Sequence, residues 1–203
     1  MAALGRPRGF DRAVALDGAL QAFWEQGFES TSIADLTRRL GIAPPSLYAA
    51  FGDKRALFLE VLDLYYDRFV QFLDETLAVP GARRDAIAAM LLGIARFYST
   101  PGLPRGCMVN TAAAPTGEPI LLARLAELRS SVQERLRRET RAAADAGELP
   151  RDMEPDALAA VIWTAVLGMS MRSRDGADRD ELESTARLTM TIWPPVRRSG
   201  DQS

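Results

Sequence analysis

The chain has 203 residues, of which 47% are hydrophobic and 26% are charged, and its formal net charge is −2. This length is enough for one large hydrophobic core or two modest ones. It contains no histidine and a single cysteine, so no intrachain disulfide can form and a cytoplasmic location is the default expectation. No apolar run approaches the length of a membrane span and no signal peptide opens the sequence, so no membrane association is expected.

Charge is distributed unevenly along the chain. Residues 1–55 contain 7 Lys or Arg against 6 Asp or Glu, whereas the remainder contains 18 against 21. Arg6 and Arg8 form a loose basic arm ahead of the first predicted helix, and such arms track phosphates or enter a minor groove. A frayed terminus is the other interpretation. Charge alone therefore favours a nucleic-acid partner only weakly.

The first predicted helix runs from about residue 11 to residue 26. Asp11 is a suitable N-cap, and Gly27 marks the end of the helix. Between them, Leu16, Leu20 and Phe23 recur at helical spacing. One side of this helix is therefore expected to be buried.

Two short helices joined by a tight turn follow. Ser32 with Asp35 three residues later is typical of a capping box at a helix start. Gly41 ends this helix, because glycine readily adopts the left-handed backbone that such an end requires. Pro44 and Pro45 then fall in the first turn of the next helix, where proline is tolerated.

The second short helix is predicted to have one buried and one exposed side. Leu47 and Phe51, four residues apart, face inward. The residues left to face outward are Pro45, Ser46, Tyr48 and Ala49. Two helices crossing at a sharp turn, with the second short and exposed, fit the major groove of DNA.

The rest of the chain is predicted to be helical, with no alternating strand pattern. The predicted helices span about 54–78, 83–98, 105–114, 121–146, 156–171 and 179–193. They are separated by breaks that contain proline or glycine, Pro115 and Pro119 among them. The polar tail after Pro195 is expected to be disordered.

The pattern around the two short helices resembles the DNA-binding end of the TetR/AcrR family of one-component repressors. The matching residues occur in order and spacing over roughly a quarter of the chain. They are Phe23, Gly27, Phe28, Thr31, Ser32, Ile33, Leu36, Gly41, Ile42, Leu47, Tyr48, Phe51, Lys54, Leu57 and Phe58. Pro44, Pro45 and Ala50 depart from the usual residues at their positions, which bears on the operator sequence rather than on the fold.

The resemblance implies an all-α fold with a three-helix DNA-binding head, which contains a helix-turn-helix, and a six-helix ligand-binding and dimerisation body. The implied boundaries are 1–55 for the head, 56–195 for the body and 196–203 for the tail. Double-stranded operator DNA is the implied partner. The implied contacts are Thr31, Ser32, Arg38, Pro44, Pro45, Ser46, Tyr48, Ala49 and Lys54. Lys54, the only lysine, is expected to contact a phosphate, with a solvated surface residue as the alternative.

A homodimer built from the last two helices of each subunit is also implied. The penultimate helix is apolar on more than one face, so it must be covered on two sides. The expected interface residues are Leu158, Ile162, Ala165, Val166, Met169, Leu182, Leu188 and Ile192. The alternative is that all of them belong to the chain's own core. A two-fold dimer spans half-sites about 34–36 Å or more apart and supplies the specificity that one short helix lacks.

A ligand pocket lined by aromatic residues and methionines is implied between the long middle helices. The candidates are Tyr65, Phe69, Met90, Ile94, Phe97, Tyr98, Met108, Asn110, Trp163 and Met171, each with core packing as the alternative. Asn110 differs from the others because an amide in an apolar stretch needs a partner. The expected inducer is small and mostly apolar or aromatic, with no metal and no cofactor. Its binding is expected to favour a body conformation that tilts the head away from successive grooves.

Cys107 is a candidate redox site. The run from Arg105 to Asn110 resembles a segment in one branch of the family, in which a Gly-Cys pair opens the sixth helix. In some relatives a cysteine in this region senses electrophiles or oxidants. Arg105 and a helix N-terminus would both favour the reactive thiolate, whereas a small buried hydrophobic residue is the alternative. A single cysteine can form only adducts or a cross-subunit disulfide.

Three candidate functions can be weighed against these motifs. A DNA-binding regulator, in the simplest case a repressor released by a ligand, agrees with all of them. A repressor triggered by oxidants or electrophiles at Cys107 has the same fold and a different trigger. An enzyme has no support in the sequence, which offers no histidine, glycine-rich phosphate loop, metal-ligand cluster or acid pair of clear geometry, and no catalytic residue is assigned.

Overall fold

The computed structural model describes residues 10–78, 80–111 and 117–193. Over these ranges the protein is all-α, as predicted, with nine α-helices and one 3₁₀ turn. The helices are α1 (Arg12–Gln26), α2 (Ile33–Leu40), α3 (Pro44–Phe51), α4 (Lys54–Leu77), α5 (Arg83–Tyr98), α6 (Met108–Thr111), α7 (Pro119–Asp145), α8 (Pro155–Arg174) and α9 (Arg179–Thr189), and the 3₁₀ turn is Met190–Ile192. Among them, no helix combines the length and apolar character that crossing a membrane requires.

Helices α1, α2 and α3 form the head, and local hydrogen bonds set where they begin. The Asp11 carboxylate accepts hydrogen bonds from the backbone N–H groups of Ala13 and Val14 at the start of α1. The predicted capping box of α2 is present, with the Asp35 N–H donating to the Ser32 hydroxyl at 3.1 Å. The sequence therefore determines these starts through short-range contacts.

Helix α4 belongs to both parts of the molecule. Its first half packs on α1, where the rings of Phe23 and Phe58 meet edge to face at 5.0 Å and Arg12 pairs with Glu60 at 2.5 Å. Its 24 residues span about 36 Å, so the same helix continues from the head into the body. Helix α4 is therefore a continuous covalent connection between the head and the body.

Helices α5 to α9 pack with the second half of α4 to form the body. Helix α7 lies against α8, and α5 contacts both α4 and α9. The end of the described chain is fastened by Trp193, whose buried indole N–H donates to the Glu148 carbonyl at 3.0 Å. The Trp193 carbonyl in turn accepts a hydrogen bond from Arg84 of α5. These bonds hold α9 against the rest of the body.

The structure corrects several predicted helix boundaries. Pro119 does not interrupt a helix but begins α7, in the first turn, where a missing backbone N–H costs little. Helix α8 continues to Arg174, and α9 ends at Thr189 before the 3₁₀ turn. The helix predicted at 105–114 is confined to the four residues of α6 within the described part of the chain.

Three sequence predictions fall outside the described residues. They are the basic arm at Arg6 and Arg8, the last residues of the helix predicted at 105–114, and the tail 196–203.

Candidate nucleic-acid interface and internal cavity

Helix α3 presents one side to solvent and anchors the other in the head. Leu47 and Phe51 are buried beneath it, as predicted from their spacing. Pro44 and Pro45 occupy the first turn, and no side chain caps the helix. The exposed side consists of Pro44, Pro45, Ser46, Tyr48 and Ala49, with 49% of Tyr48 accessible. The five residues of α3 that the sequence predicted as DNA contacts thus lie on one surface.

Two predicted contacts lie at the start and on the outer side of α2. Ser32 is exposed, and its hydroxyl donates to the Asp35 carboxylate at 2.5 Å. This hydrogen bond, together with Arg38 at 3.0 Å, lowers the pKa of Asp35. The Arg38 side chain is 76% exposed and extends into solvent. Both residues are accessible to a nucleic-acid backbone.

Thr31 is wrong as a side-chain contact to DNA. Its side chain is fully buried, and its hydroxyl donates to the Gly27 carbonyl at 2.7 Å. The residue therefore stabilises the turn between α1 and α2. It positions the start of α2 and does not face solvent.

Lys54 is the first residue of α4 and follows α3 directly. The Asp53 carboxylate caps the helix by accepting a hydrogen bond from the Ala56 N–H at 2.7 Å. The Lys54 ammonium lies 4.3 Å from the centre of the Phe28 ring, a cation–π contact. This contact restricts the lysine charge to a position beside α3. Because α3 itself carries no charged residue, positive charge near it comes from its flanks.

A cavity lies in the body where α4, α5, α6, α7 and α8 meet. Its wall contains Tyr65, Tyr66, Phe69, Tyr98, Cys107, Val109, Asn110, Leu128, Arg129, Val132 and Trp163. Measured as room for the centre of a water molecule, its volume is about 20 Å³, which holds about one water-sized group. A larger molecule has to push the walls apart in order to enter.

Half of the predicted pocket residues line this cavity: Tyr65, Phe69, Tyr98, Asn110 and Trp163. Met90, Ile94 and Met108 are buried in the core without lining it, and Phe97 stacks on Trp24 at 5.7 Å. Met171 is wrong as a pocket residue. It is 54% exposed, because its position on α8 faces solvent.

Other lining residues were not predicted. They are Tyr66, Val109, Leu128, Arg129 and Val132. Leu128 and Val132 are four residues apart on the apolar side of α7, so helical periodicity marks them as buried. Periodicity does not indicate whether a buried side faces a cavity or a packed core.

Three polar atoms in the cavity wall are buried without a hydrogen bond of normal geometry among the described residues, although the two hydroxyls lie beside the Cys107 thiol, a weak acceptor. They are the hydroxyl oxygens of Tyr65 and Tyr98 and the amide oxygen of Asn110. Burial raises the pKa of both tyrosines well above the ordinary value, and the neighbouring Cys107 adds to this effect. Both hydroxyls are therefore protonated near neutral pH and available as hydrogen-bond donors.

Cys107 lines the same cavity as a buried, free thiol. Burial raises the pKa of this thiol, and the tyrosine hydroxyls only partly oppose the effect. Arg105, which was expected to favour the thiolate, instead donates to the Ala177 carbonyl at 2.8 Å. The expectation of an activated thiolate is therefore wrong, because loss of solvent outweighs the favourable hydrogen bonds.

The segment just before α6 connects the cavity to the head. The Gly106 carbonyl accepts a hydrogen bond from the Trp24 indole of α1 at 3.1 Å. The Gly106 N–H donates to the Ser173 hydroxyl at 3.1 Å, and the Cys107 N–H to the Ser170 hydroxyl at 2.8 Å. We call Gly106 and Cys107 the strap. At Gly106 φ is 75°, and a Cβ would lie 2.5 Å from the Ser170 carbonyl oxygen, so only glycine fits.

The predicted dimer residues divide between core and surface. Leu158, Ile162, Val166, Met169 and Leu182 are buried within the chain's own core, so they are wrong as interface contacts. Helix α8 packs on α7 and α9 packs on α5, so the buried sides of α8 and α9 are covered by α7 and α5 of the same chain. Ala165 is half-buried, whereas Leu188 and Ile192 are exposed. Val161, which was not predicted, is also exposed on α8.

Two family models match the chain. The model described as bacterial regulatory proteins, tetR family, covers residues 15–61. The model described as tetracyclin repressor-like, C-terminal domain, covers residues 81–189. The first match contains the helix-turn-helix, and the second contains most of the body.

Similar proteins extend over nearly the whole chain. The HTH-type transcriptional repressor ComR of Escherichia coli is 36% identical over 199 residues, which are 95% of this chain and 93% of that protein. The transcriptional regulator AcuR of Cereibacter sphaeroides is 30% identical over 196 residues, which are 90% and 87% of the two chains.

Solved structures agree with this assignment. A cysteine mutant of the TetR family transcriptional regulator CifR, complexed with 26 bp double-strand operator DNA, is 33% identical. It covers 94% of this chain and 100% of its own, with a TM-score of 0.87. These relatives are named as transcriptional regulators. From its helix-turn-helix, its body and these matches, the chain belongs to the TetR family of DNA-binding transcriptional regulators.

Proposed function

We propose that this protein is a repressor that binds operator DNA as a homodimer and leaves it when a small molecule enters the body cavity. The observation that carries the proposal is the exposed side of α3, anchored by the buried Leu47 and Phe51. ComR is named a repressor, and CifR is described in a complex with operator DNA, which supports the same role here. A cytoplasmic location, where an operator is accessible, is part of this proposal.

The side chains on α3 and those that flank it have separate roles in DNA binding: the first contact bases and the second contact phosphates. Ser46 and Tyr48 carry hydroxyls that reach base edges in the major groove. The proline and alanine side chains beside them offer apolar contact to thymine methyl groups. Ser32, Arg38 and Lys54 bind phosphates and so fix the position of the head on the duplex.

The exposed side of α8, together with the end of α9, forms the dimer interface in this proposal. The exposed residues are spaced at three and four along α8 and include Ala157, Ala160, Val161, Thr164, Gly168 and Met171. Leu188 and Ile192 are the large exposed apolar residues at the end of the described part of the chain. Small residues allow two helices to approach closely, and the larger apolar ones gain burial on association.

Ligand entry acts on the head through two connections. Because the cavity holds about one water-sized group, a larger ligand displaces its walls, which include α4 and the strap. The strap is hydrogen-bonded to Trp24 of α1, and α4 itself runs into the head. A change in the cavity therefore alters the orientation of the head and the spacing of the two α3 helices in a dimer.

The base-reading role is tested with Tyr48→Ala. We expect operator affinity to fall by about tenfold or more, since a base-edge contact is lost, with little change in melting temperature because the side chain is half-exposed. Leu122→Ala, which removes a similarly exposed side chain from α7, is the control. Unchanged operator affinity in Tyr48→Ala would show that α3 does not read the DNA.

The phosphate-binding role is tested with Lys54→Ala. Affinity should fall by a similar factor for operator and for random DNA, and the slope of log affinity against log salt should decrease by about one unit. Arg138→Ala makes the same charge change on the exposed side of α7 and should leave both quantities unaltered. A loss confined to the operator would assign Lys54 to base reading.

A second candidate trigger is chemical modification of Cys107, since this residue lines the cavity that a reactive molecule would enter. Its raised pKa makes such modification slow until the cavity opens. Operator release by oxidant in the wild type, but not in Cys107→Ser, would support this trigger. Equal release by both proteins would exclude it.

A further inference from the structure

The three unpartnered polar atoms of the cavity indicate what kind of ligand it binds. Tyr65 and Tyr98 are only 3% and 1% exposed, and neither hydroxyl makes a hydrogen bond of normal geometry among the described residues, since the neighbour of both is the weakly accepting Cys107 thiol. The amide oxygen of Asn110 is unpartnered in the same wall. Buried polar groups in folded proteins are almost always hydrogen-bonded. Three exceptions around one cavity therefore point to a partner that the chain does not supply.

The number and type of these atoms match a single hydroxyl group. A hydroxyl oxygen accepts two hydrogen bonds and its hydrogen donates one. The two tyrosines are protonated and can donate, whereas the amide oxygen of Asn110 can only accept. The cavity volume of about 20 Å³ also fits one group of this size.

We propose that the ligand is a small alcohol or phenol whose hydroxyl group is bound by Tyr65, Tyr98 and Asn110. The identification of this ligand class rests on the ligand-responsive function proposed above. The remaining lining side chains that are apolar, namely Phe69, Val109, Leu128, Val132 and Trp163, pack against the hydrocarbon part of the molecule.

A carboxylate fits this wall less well than a neutral hydroxyl group. The amide oxygen of Asn110 repels a carboxylate, because both are hydrogen-bond acceptors. Arg129, the cationic residue of the wall, already donates to the Val109 carbonyl at 3.2 Å. The tyrosines and the Cys107 thiol are neutral, so Arg129 is the one charged side chain among the described residues of this wall, and its hydrogen bond directs it to the Val109 carbonyl.

The proposal is tested by isothermal titration calorimetry of the purified full-length protein with a matched panel of compounds. The hydroxyl probes are phenol, benzyl alcohol and cyclohexanol, and the controls are the corresponding methyl ethers together with benzoate. Each hydroxyl compound should bind at least about tenfold tighter than its methyl ether, because the ether cannot donate to Asn110. Benzoate should bind more weakly than phenol.

Two conservative variants identify the hydrogen bonds. Tyr98→Phe and Tyr65→Phe remove hydroxyls that, within the described chain, have no hydrogen bond stronger than a contact with the Cys107 thiol. The apo variants should therefore keep a melting temperature close to that of the wild type, while the preference for alcohol over ether should fall severalfold. Tyr66→Phe is the matched control in the same wall, since its hydroxyl is already bonded to Ser131. This control should keep the full preference.

Equal or tighter binding of the ethers or of benzoate would overturn the proposal. Failure of every hydroxyl probe to bind would also overturn it, and would leave a structural water molecule as the occupant. Operator binding, followed by fluorescence anisotropy, separates this result from the proposed function. Alcohols that bind without releasing DNA would contradict ligand release but not the hydroxyl site, whereas operator binding with no alcohol binding would contradict the hydroxyl site alone.

Discussion

The side chains of Tyr65, Tyr98 and Cys107 form a buried cluster of ionisable groups in the cavity wall. All three are protonated near neutral pH, because burial raises the pKa of each. The cluster can therefore donate hydrogen bonds to a neutral ligand. It is also a place where the folded state holds protons that the unfolded chain releases at high pH.

This cluster should lower the stability of the protein in alkaline solution. In the unfolded chain these groups ionise near their ordinary pKa values, about 8.5 for cysteine and about 10 for tyrosine. The folded state retains these protons to higher pH. The free energy of unfolding is therefore unaffected by their titration below the unfolded-state pKa values, and it decreases as pH rises from there toward the folded-state pKa values. The free energy of unfolding in urea should therefore decrease between about pH 9 and pH 11.

Tyr98→Phe removes one of the three groups and should make this decrease shallower. Tyr66→Phe, measured in parallel, removes a hydroxyl bonded to Ser131 and should leave the slope near that of the wild type. Identical slopes in Tyr98→Phe and the wild type would show that burial of this tyrosine does not contribute to the pH dependence.

The strap and α1 form a connection between elements that are distant in sequence. The Trp24 indole donates to Gly106, its ring packs edge-on against Tyr65 at 5.0 Å, and Arg174 of α8 donates to the Trp24 carbonyl at 3.0 Å. The Trp24 side chain, which belongs to the head, therefore contacts both Tyr65 of the cavity wall and the strap. If opening of the cavity weakens operator binding, then operator binding must disfavour opening of the cavity by the same factor.

Reciprocity is measurable without knowledge of the inducer, because Cys107 is the only thiol. Operator DNA should slow the reaction of this thiol with a disulfide reagent, since DNA binding favours the closed cavity. Trp24→Phe keeps a ring but loses the hydrogen bond to the strap, so the protection by DNA should be reduced severalfold.

The control for this measurement is Trp193→Phe, which also deletes an indole hydrogen bond to a backbone carbonyl, but at the far end of α9. It should retain the protection that DNA gives to the thiol. Protection in Trp24→Phe equal to that of the wild type would contradict a role of this hydrogen bond in coupling.

Elements with strong local signals were predictable from the sequence. Asp11 and Gly27 delimit α1 as predicted, and the bounds of α5 agree with the expected 83–98. The exposed side of α3 followed from the spacing of Leu47 and Phe51. Pro119 was misinterpreted because proline is compatible both with a helix break and with a helix start.

Tertiary features were only partly predictable, and the reason is physical. Apolar periodicity indicates that a residue is buried but not which partner covers it. Ile162 and Leu182 were therefore assigned to a subunit interface although α7 and α5 cover them within one chain. The three residues of α7 in the cavity wall, Leu128, Arg129 and Val132, were missed for the same reason, since periodicity does not show that they face the cavity.

At the scale of the whole molecule, exposure separates the surface available to a second subunit from the core. Val161 and Leu188 are large apolar side chains that are 49% and 65% exposed. Leu182, by contrast, is fully buried. Substitutions at these positions should therefore have different consequences for assembly and folding.

Val161→Asp and Leu188→Glu should give folded monomers with weakened operator binding, because a charge on each apolar face opposes association without disturbing the core. Leu182→Glu should instead destabilise the fold itself, since it buries an unpaired carboxylate. Light scattering measures the mass, and circular dichroism measures the helical content. A dimer that persists in both surface variants would move the interface to another face.

The close fit at Gly106 has a consequence for how such a regulator changes over evolutionary time. If the cavity binds a ligand as proposed, exchange of side chains on α7, such as Leu128 and Val132, would change its preference and leave the backbone in place. Gly106 has no such freedom, since any side chain would meet the Ser170 carbonyl oxygen. A lineage of such proteins can therefore change the proposed ligand specificity through α7 with little loss of stability, as long as position 106 remains glycine.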